Sequence, residues 1–314
     1  MPTRRFLPTT PTALFAWSLL LGVGACERSK LAVRVDSASG PVGHTESAVT
    51  GPTAISGWNS SAGLALFVQG ETRNEAIVLL PTEEDTAAFA RLATLGNAAA
   101  EITLFGRGGA LLTAQLGPAP LPGDAECRIW PLQNIHGDGA DNTWAIGFVG
   151  AQTAALPLDS VDVLSSRDSL ALAAEASRLA SAVTATTAPS FQGLRFTAHD
   201  IRRFEISPGI AALVAHLTRK VNQEANPQEE QTLLIAERDS GVTTGAYTLA
   251  YAERTHGLEE TTTAPEVIGG VRIAGRPTLV IARDGDQGVA YAVLERTGLR
   301  RWRIRWTSGL TRCG

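Results

Sequence analysis

Three clusters in this chain carry side chains of the kind used in acid–base or metal chemistry. His136-Gly-Asp138-Gly-Ala-Asp141-Asn142 sets an imidazole, two carboxylates and an amide in a glycine-rich loop. Hard cations want several oxygens in an ordered cage. This spacing matches no established metal loop, so a solvated turn is the plainer reading. Asp284-Gly-Asp286-Gln-Gly288 is similar and stands where a hairpin turn is already needed. His199-Asp200 could orient an imidazole for base catalysis, but no Ser or Cys nucleophile is specified nearby in sequence. His216 lies inside an apolar strand and reads as structural, and His44 and His256 show no ligand spacing. The chain has no Gly-x-Ser-x-Gly elbow, His-Glu-x-x-His pair, Gly-Lys-Ser/Thr phosphate loop or dinucleotide glycine fingerprint. No catalytic residue, metal or cofactor is therefore assigned.

The last strand offers a different chemistry. In Arg301-Trp302-Arg303-Ile304-Arg305-Trp306, a period of two puts Trp302, Ile304 and Trp306 on one face and Arg301, Arg303 and Arg305 on the other. Nothing acidic follows Glu295. Such a ladder could grip an anionic glycan, phosphate, lipid headgroups or a partner's acidic face. The plainer alternative is a core-facing aromatic row whose arginines are solvated or paired with acids on neighbouring strands.

The N-terminus divides into the parts of a secretory signal. Arg4 and Arg5 make a short basic segment, and Ala13 to Val23 form an almost unbroken apolar run. That run is far short of the roughly 20 residues that span a bilayer. Small residues then lead into a cysteine, Val23-Gly24-Ala25-Cys26. This tetrad resembles the lipobox of bacterial lipoproteins. The resemblance implies export, cleavage before Cys26 and acylation of Cys26, so the mature protein is anchored to the membrane through lipid. Two or three acyl chains hold a protein firmly where one holds it marginally. Glu27 after the lipidated position implies the outer membrane by the same resemblance. Thr3-Arg4-Arg5 hints at the twin-arginine route, but Pro8 departs from that motif, which leaves the general secretory route.

Taking Arg4 and Arg5 away with the first 25 residues leaves 25 basic against 31 acidic residues, a formal charge of −6. That balance gives no reason to expect nucleic acid as a partner. With 44% apolar residues the chain can build a proper core. Residues 27–60 are rich in Ser, Thr, Gly, Pro and Ala and read as a tether. At about 5–6 Å × √n it reaches about 30–35 Å, enough to stand the body clear of the headgroups. If Cys26 carries lipid, Cys127 and Cys313 remain as a pair in a compartment where disulfides persist. The alternative is two separate thiols.

The elements follow from pattern. Leu64 to Val68 and Ala76 to Leu80 predict a hairpin, as do Glu101 to Phe105 and Leu111 to Leu116. Between them a helix is expected with Thr82 as N-cap, Phe89 and Leu92 on one face and Gly96 at its end. Trp144 to Val149 is a further strand. Ser165 and Asp168 fit a capping box, and Leu172, Ala176, Leu179 and Val183 make a stripe at helical spacing.

After about Phe191 strands dominate, and a unit recurs. Thr232-Leu-Leu-Ile-Ala leads through a polar turn to Tyr247-Thr-Leu-Ala-Tyr-Ala-Glu-Arg-Thr, and Thr278-Leu-Val-Ile-Ala leads to Tyr291-Ala-Val-Leu-Glu-Arg-Thr. A further strand precedes each, at Ala211 to Val221 and at Val267 to Ile273. Val267 to Arg283, with Gly275-Arg276-Pro277 before an apolar strand, resembles an FG-GAP-type propeller blade. Arg272, Ile273 and Ala274 replace the acidic run of that family, so calcium is not carried over. Two copies cannot close a propeller, which leaves an antiparallel sheet or sandwich.

Together these features predict an α+β protein: signal peptide 1–25, lipidated Cys26 and tether 26–60, a mixed α/β part with hairpins and two helices over 61–189, and an antiparallel β-rich part with the duplicated hairpin unit over 190–314. The expected function is that of an envelope binding or assembly module whose partner is an envelope protein or glycan. The alternative is an envelope hydrolase with a site assembled from distant residues, His199, Asp200 or the His136 loop.

Overall fold

Strands covered on both faces build the first half of the body. Leu66-Phe67-Val68 and Ile77-Val78-Leu79 are apolar and buried at every position. Leu66, Val68, Ile77 and Leu79 face one core and Phe67 and Val78 another. A doubly covered strand reads as a continuous apolar run rather than an alternation. These two are β1 (Leu66–Gln69) and β2 (Glu75–Leu79). With β3 (Glu101–Phe105), β4 (Leu111–Leu116), β5 (Ile129–Gly137) and β6 (Ile146–Phe148) they close a barrel in the order β1-β2-β5-β4-β3-β6. The computed structural model describes residues 57–82, 85–121, 127–137, 143–183, 188–221, 227–239 and 245–313. All of them lie within one unit, Thr45–Gly314.

The barrel interior is filled by Phe67, Val78, Leu104, Leu112, Leu116 and Trp130, with Ala88 and Leu92 packed from α1 (Thr86–Asn97). The N-cap is Asp85, whose carboxylate accepts the Ala88 N–H at 2.8 Å, and not Thr82. Gly96 does not end this helix. A Cβ there would lie 2.0 Å from the carbonyl oxygen of Gly117, so the residue allows α1 to approach the end of β4.

The second half is two antiparallel sheets. One runs β12-β11-β10-β9-β8 and the other β16-β15-β14-β13-β7. Their strands are β7 (Thr153–Ala155), β8 (Asp159–Ser160), β9 (Thr197–Ser207), β10 (Ile210–Val221), β11 (Gln228–Asp239), β12 (Thr248–Leu258), β13 (Ala264–Ile273), β14 (Arg276–Gly285), β15 (Gly288–Gly298) and β16 (Arg301–Thr311). The sheets pack face to face through Phe204, Val214, Leu233 and Ile235 against Leu279, Ile281, Leu294 and Trp302. The outer face of the β8–β12 sheet is covered by α2 (Ser166–Ala182), which buries Ala176, Leu179 and Ala180 against Leu213, Leu217 and Leu234. The outer face of the other sheet meets the barrel, Val271, Val280 and Val293 lying on Leu66, Phe105 and Phe148. Gly269 sits at that seam, where a Cβ would come 2.7 Å from Ile146 Cδ1. The layers are thus barrel, sheet, sheet and helix.

The expectation of an α+β fold with a mixed α/β N-terminal part is corrected by this architecture. Among the described residues there are sixteen strands and two α-helices, and all three sheets are antiparallel. The helices cover sheets and do not alternate with strands. β5 is the element the sequence pattern hides. Its Pro131, Gln133, Asn134 and His136 interrupt the apolar period, yet it pairs with both β2 and β4 and closes the barrel. The two hairpins and the capping box of α2 form as expected: β1 pairs β2, β3 pairs β4, and Ser165 Oγ accepts the Asp168 N–H. Both copies of the repeated unit sit in consecutive antiparallel triplets, β10-β11-β12 and β13-β14-β15.

Candidate functional site

Two places collect the residues of interest, and they differ in kind. The first lies at the open end between the two sheets. On β10, period two puts Val214, His216 and Thr218 on the inter-sheet face. A register shift in β9 opposite His216 and Leu217 leaves His199 bulged beside them. The His199 and His216 rings lie 5.4 Å apart. His199 Nε2 hydrogen-bonds Thr218 Oγ1, and His216 Nε2 donates to Gln231 Oε1 at 2.5 Å. Gln231 in turn donates to Glu229, which Lys220 holds at 3.0 Å. Asp200 accepts from Arg202 Nε at 2.9 Å, so Arg202 is the partner of this carboxylate.

Burial holds the His216 imidazole below the ordinary histidine range, and the nearby His199 acts in the same direction. The neutral ring donating to Gln231 is the form this environment favours. Asp200, Val214, His216, Leu233, Glu266 and Val267 enclose a cavity of about 20 Å³. That is room for about one water molecule. Arg107, from the turn between β3 and β4, bridges to Glu266 beside it. His216, which its apolar strand marks as structural, is thus brought beside His199 by the pairing of β9 with β10. The spacing of Val214, His216 and Thr218 on one strand face was the usable signal, but only the bulge in β9 completes the group.

The second place is the free edge of the other sheet. Among the described residues, β16 pairs with β15 alone. Arg301 and Arg303 are exposed and Trp302 and Ile304 are buried between the sheets, as alternation requires. The pattern then breaks. A register shift between Val293 and Leu294 places Arg305 in a bulge, and Trp306 turns to the barrel side. The expected single row of Trp302, Ile304 and Trp306 is corrected accordingly. Arg305 is half-buried and its Nε is buried without a hydrogen-bond partner among the described residues. Trp306 donates to the Pro81 carbonyl at 2.8 Å and meets Trp58 edge-on at 5.0 Å.

Beyond Trp306, a groove of about 290 Å³ opens between β2 and β16. Ile77 to Leu80 and Arg128 line one wall, and Ser308 to Thr311 with Cys313 line the other. Cys127 and Cys313 form a disulfide with Cα atoms 5.3 Å apart, which ties the two walls together. The groove was not foreseen, although pairing those cysteines already requires Arg128 and Thr311 to come close.

The remaining candidates fall elsewhere. His136 bonds Thr113 Oγ1 and the Asn134 carbonyl on the barrel, while Asp138, Asp141 and Asn142 lie outside the described residues. Asp286 and Gln287 form the turn between the paired Gly285 and Gly288. His256 stacks edge-on with Phe191. Cys26 and His44 lie outside the described residues. Among the described residues, no group of three or more His, Cys, Asp or Glu could hold a metal ion, and no helix is long and apolar enough to cross a membrane. No protein-family model matches the chain, and no curated protein or solved structure matches it.

Proposed function

We propose that this chain is an exported lipoprotein of the bacterial envelope, acylated at Cys26, whose body serves as a binding or assembly module rather than as an enzyme. The observation that carries the binding reading is the contrast between the two places. The groove between β2 and β16 has ligand-sized volume, walls of backbone and apolar side chains, and no imidazole or carboxylate among its lining residues. Arg128, Ser308 and Thr311 add side-chain polar groups to the strand backbone there, which suits a ligand held by hydrogen bonds. The imidazole cluster encloses only about 20 Å³. That is room for about one water molecule and not for a substrate.

Two measurements test this. Labelled fatty acid fed to cells expressing the full chain should enter the protein and be lost in Cys26→Ser; label retained by that variant overturns the anchor. The mature chain should capture an envelope component that Leu310→Trp, at an exposed position lining the groove, no longer retains. Equal capture by both proteins overturns the groove as the binding site. Hydrolytic activity lost in His199→Ala and His216→Ala would replace the binding module with the enzyme alternative.

A further inference from the structure

We infer that the β15–β16 hairpin is a second membrane contact, an apolar tip with an arginine collar that lies on anionic lipid headgroups; the inference rests on the lipid-anchor reading of Cys26. The tip is the two-residue turn Leu299-Arg300 between the paired Gly298 and Arg301. Leu299 at this tip is 70% exposed. Arg300, Arg301 and Arg303 around it are exposed as well.

Two acids beneath this hairpin, Glu295 and Glu237, are already engaged within the fold. Arg303 lies directly across from Glu295 on β15, but Glu295 is buried and its two oxygens are taken by Arg276 at 2.7 Å and by Asn59 at 3.2 Å. Arg276 is 62% exposed at its side chain and balances the Glu295 charge, which leaves Arg303 uncompensated by it. Glu237, under the turn, accepts from Arg296 Nε and Nη2, from Trp302 Nε1 and from the Arg300 N–H. Its hydrogen-bonding capacity is filled from within the fold. From Arg296 to Gly314 the chain contains six arginines and no acid, on a protein whose net charge is negative. Repulsion from an anionic surface over the rest of the body would therefore turn this edge towards the membrane.

The anchor joins at the same edge. Asn59 bonds Glu295 and Trp58 packs on Trp306, so the first described residues lie beside β15 and β16. On the lipid-anchor reading, only the 30 residues 27–56 separate the acylated cysteine from this edge, which bounds their distance. Confinement within that distance raises the effective concentration of headgroups at the edge to the mM range. A contact too weak to recruit a free protein is then populated in a tethered one. Each arginine near an anionic surface multiplies that population about fivefold, and salt screens the gain.

The test uses the full mature chain with Cys26→Ser, which removes lipid and leaves the edge. It should co-sediment with vesicles of phosphatidylcholine and phosphatidylglycerol at low salt, and not with phosphatidylcholine alone. Arg301→Glu with Arg303→Glu should lower that binding at least tenfold while the protein stays folded, the carboxylate set opposite Glu295 lowering the melting temperature only slightly. Leu299→Ser should lower it severalfold without changing its salt dependence. Equal binding to neutral and anionic vesicles, or binding unmoved by the two reversals, overturns the contact. So does loss, on the same reversals, of an acidic envelope protein captured by a chain that ignores vesicles. An unacylated Cys26 in the intact mass of the wild type overturns the anchor and leaves the vesicle result standing, so the two failures are distinguishable.

Discussion

The Glu-Arg-Thr segments of β12 and β15 carry the same residues into different layers. On β12, Glu253 points between the sheets, where Tyr251 Oη donates to it and Arg283 of the opposite sheet bonds both its oxygens. Arg254 points the other way, beneath α2, donating to the Ala180 carbonyl with Glu230 nearby. On β15 the order is reversed. Arg296 points between the sheets to Glu237, and Glu295 faces the barrel side with Arg276 and Asn59. Register is the cause. Glu253 stands opposite Leu233, whereas Glu295 stands opposite Thr278, one place back along the matching strand. A slip of one residue sends every side chain to the other face. Similar sequence units therefore became different fasteners, one clamping the two sheets and one holding the segment that leads in from residue 57.

That difference can be broken at several points. The largest effect is expected at the disulfide, which ties the β16 sheet to the barrel and does not touch the β12 sheet. With 186 residues between its ends, replacing both cysteines by serine should cost about 5 kcal/mol in urea denaturation by the chain-entropy account. Hydrogen exchange should accelerate more along β16 than along β12; equal acceleration would show that the tie is not local. Next come the two glutamates. Glu253→Gln strips the partner from Arg283, whose side chain is 11% exposed, and should cost about 3 kcal/mol. Glu295→Gln releases the mostly exposed Arg276 to water and should cost about 1 kcal/mol. Similar losses from the two variants would erase the distinction between clamp and surface tie.

Acid should separate the same regions by pH. His216 is held below the ordinary imidazole range by burial, so the unfolded chain binds its proton first. Its contribution is complete above about pH 6.5 and is lost as pH falls below that, down towards the folded value. Burial raises the Glu237 carboxyl, but Arg296, the Arg300 N–H and Trp302 outweigh it and hold the group below the usual carboxylate range. Stability from the Arg296 side is thus present above about pH 4.3 and lost as pH falls through the folded value. His216→Gln should flatten the first step and leave the second in a pH series of melting curves. Loss of both steps in that variant would mean the two groups titrate as one. The smallest effect is expected at Arg303→Ala, within about 0.5 kcal/mol of the parent, since the side chain is exposed.

Much of the local structure was legible before any coordinates. Apolar runs separated by polar turns located β1 to β4, and Ser165 with Asp168 located the start of α2, because turn chemistry and capping act within a few residues. The alternation of Arg301 to Ile304 was legible for the same reason. The candidate sites were less so. His199 and Asp200 were visible as a pair, but His216 joins them only across a strand pairing, and the groove exists only because β16 returns to β2.

The sequence by itself thus determined where most strands lie, how α2 begins and that two cysteines were available to pair. Tertiary structure alone decided that the first strands close into a barrel, that Glu253 and Glu295 face different layers, and that Trp306 leaves the row begun by Trp302. The physical reason is shared by all three. Periodicity states that a strand has two faces, but the layer behind each face is set by register and bulges, and a single extra residue at Arg305 exchanges them.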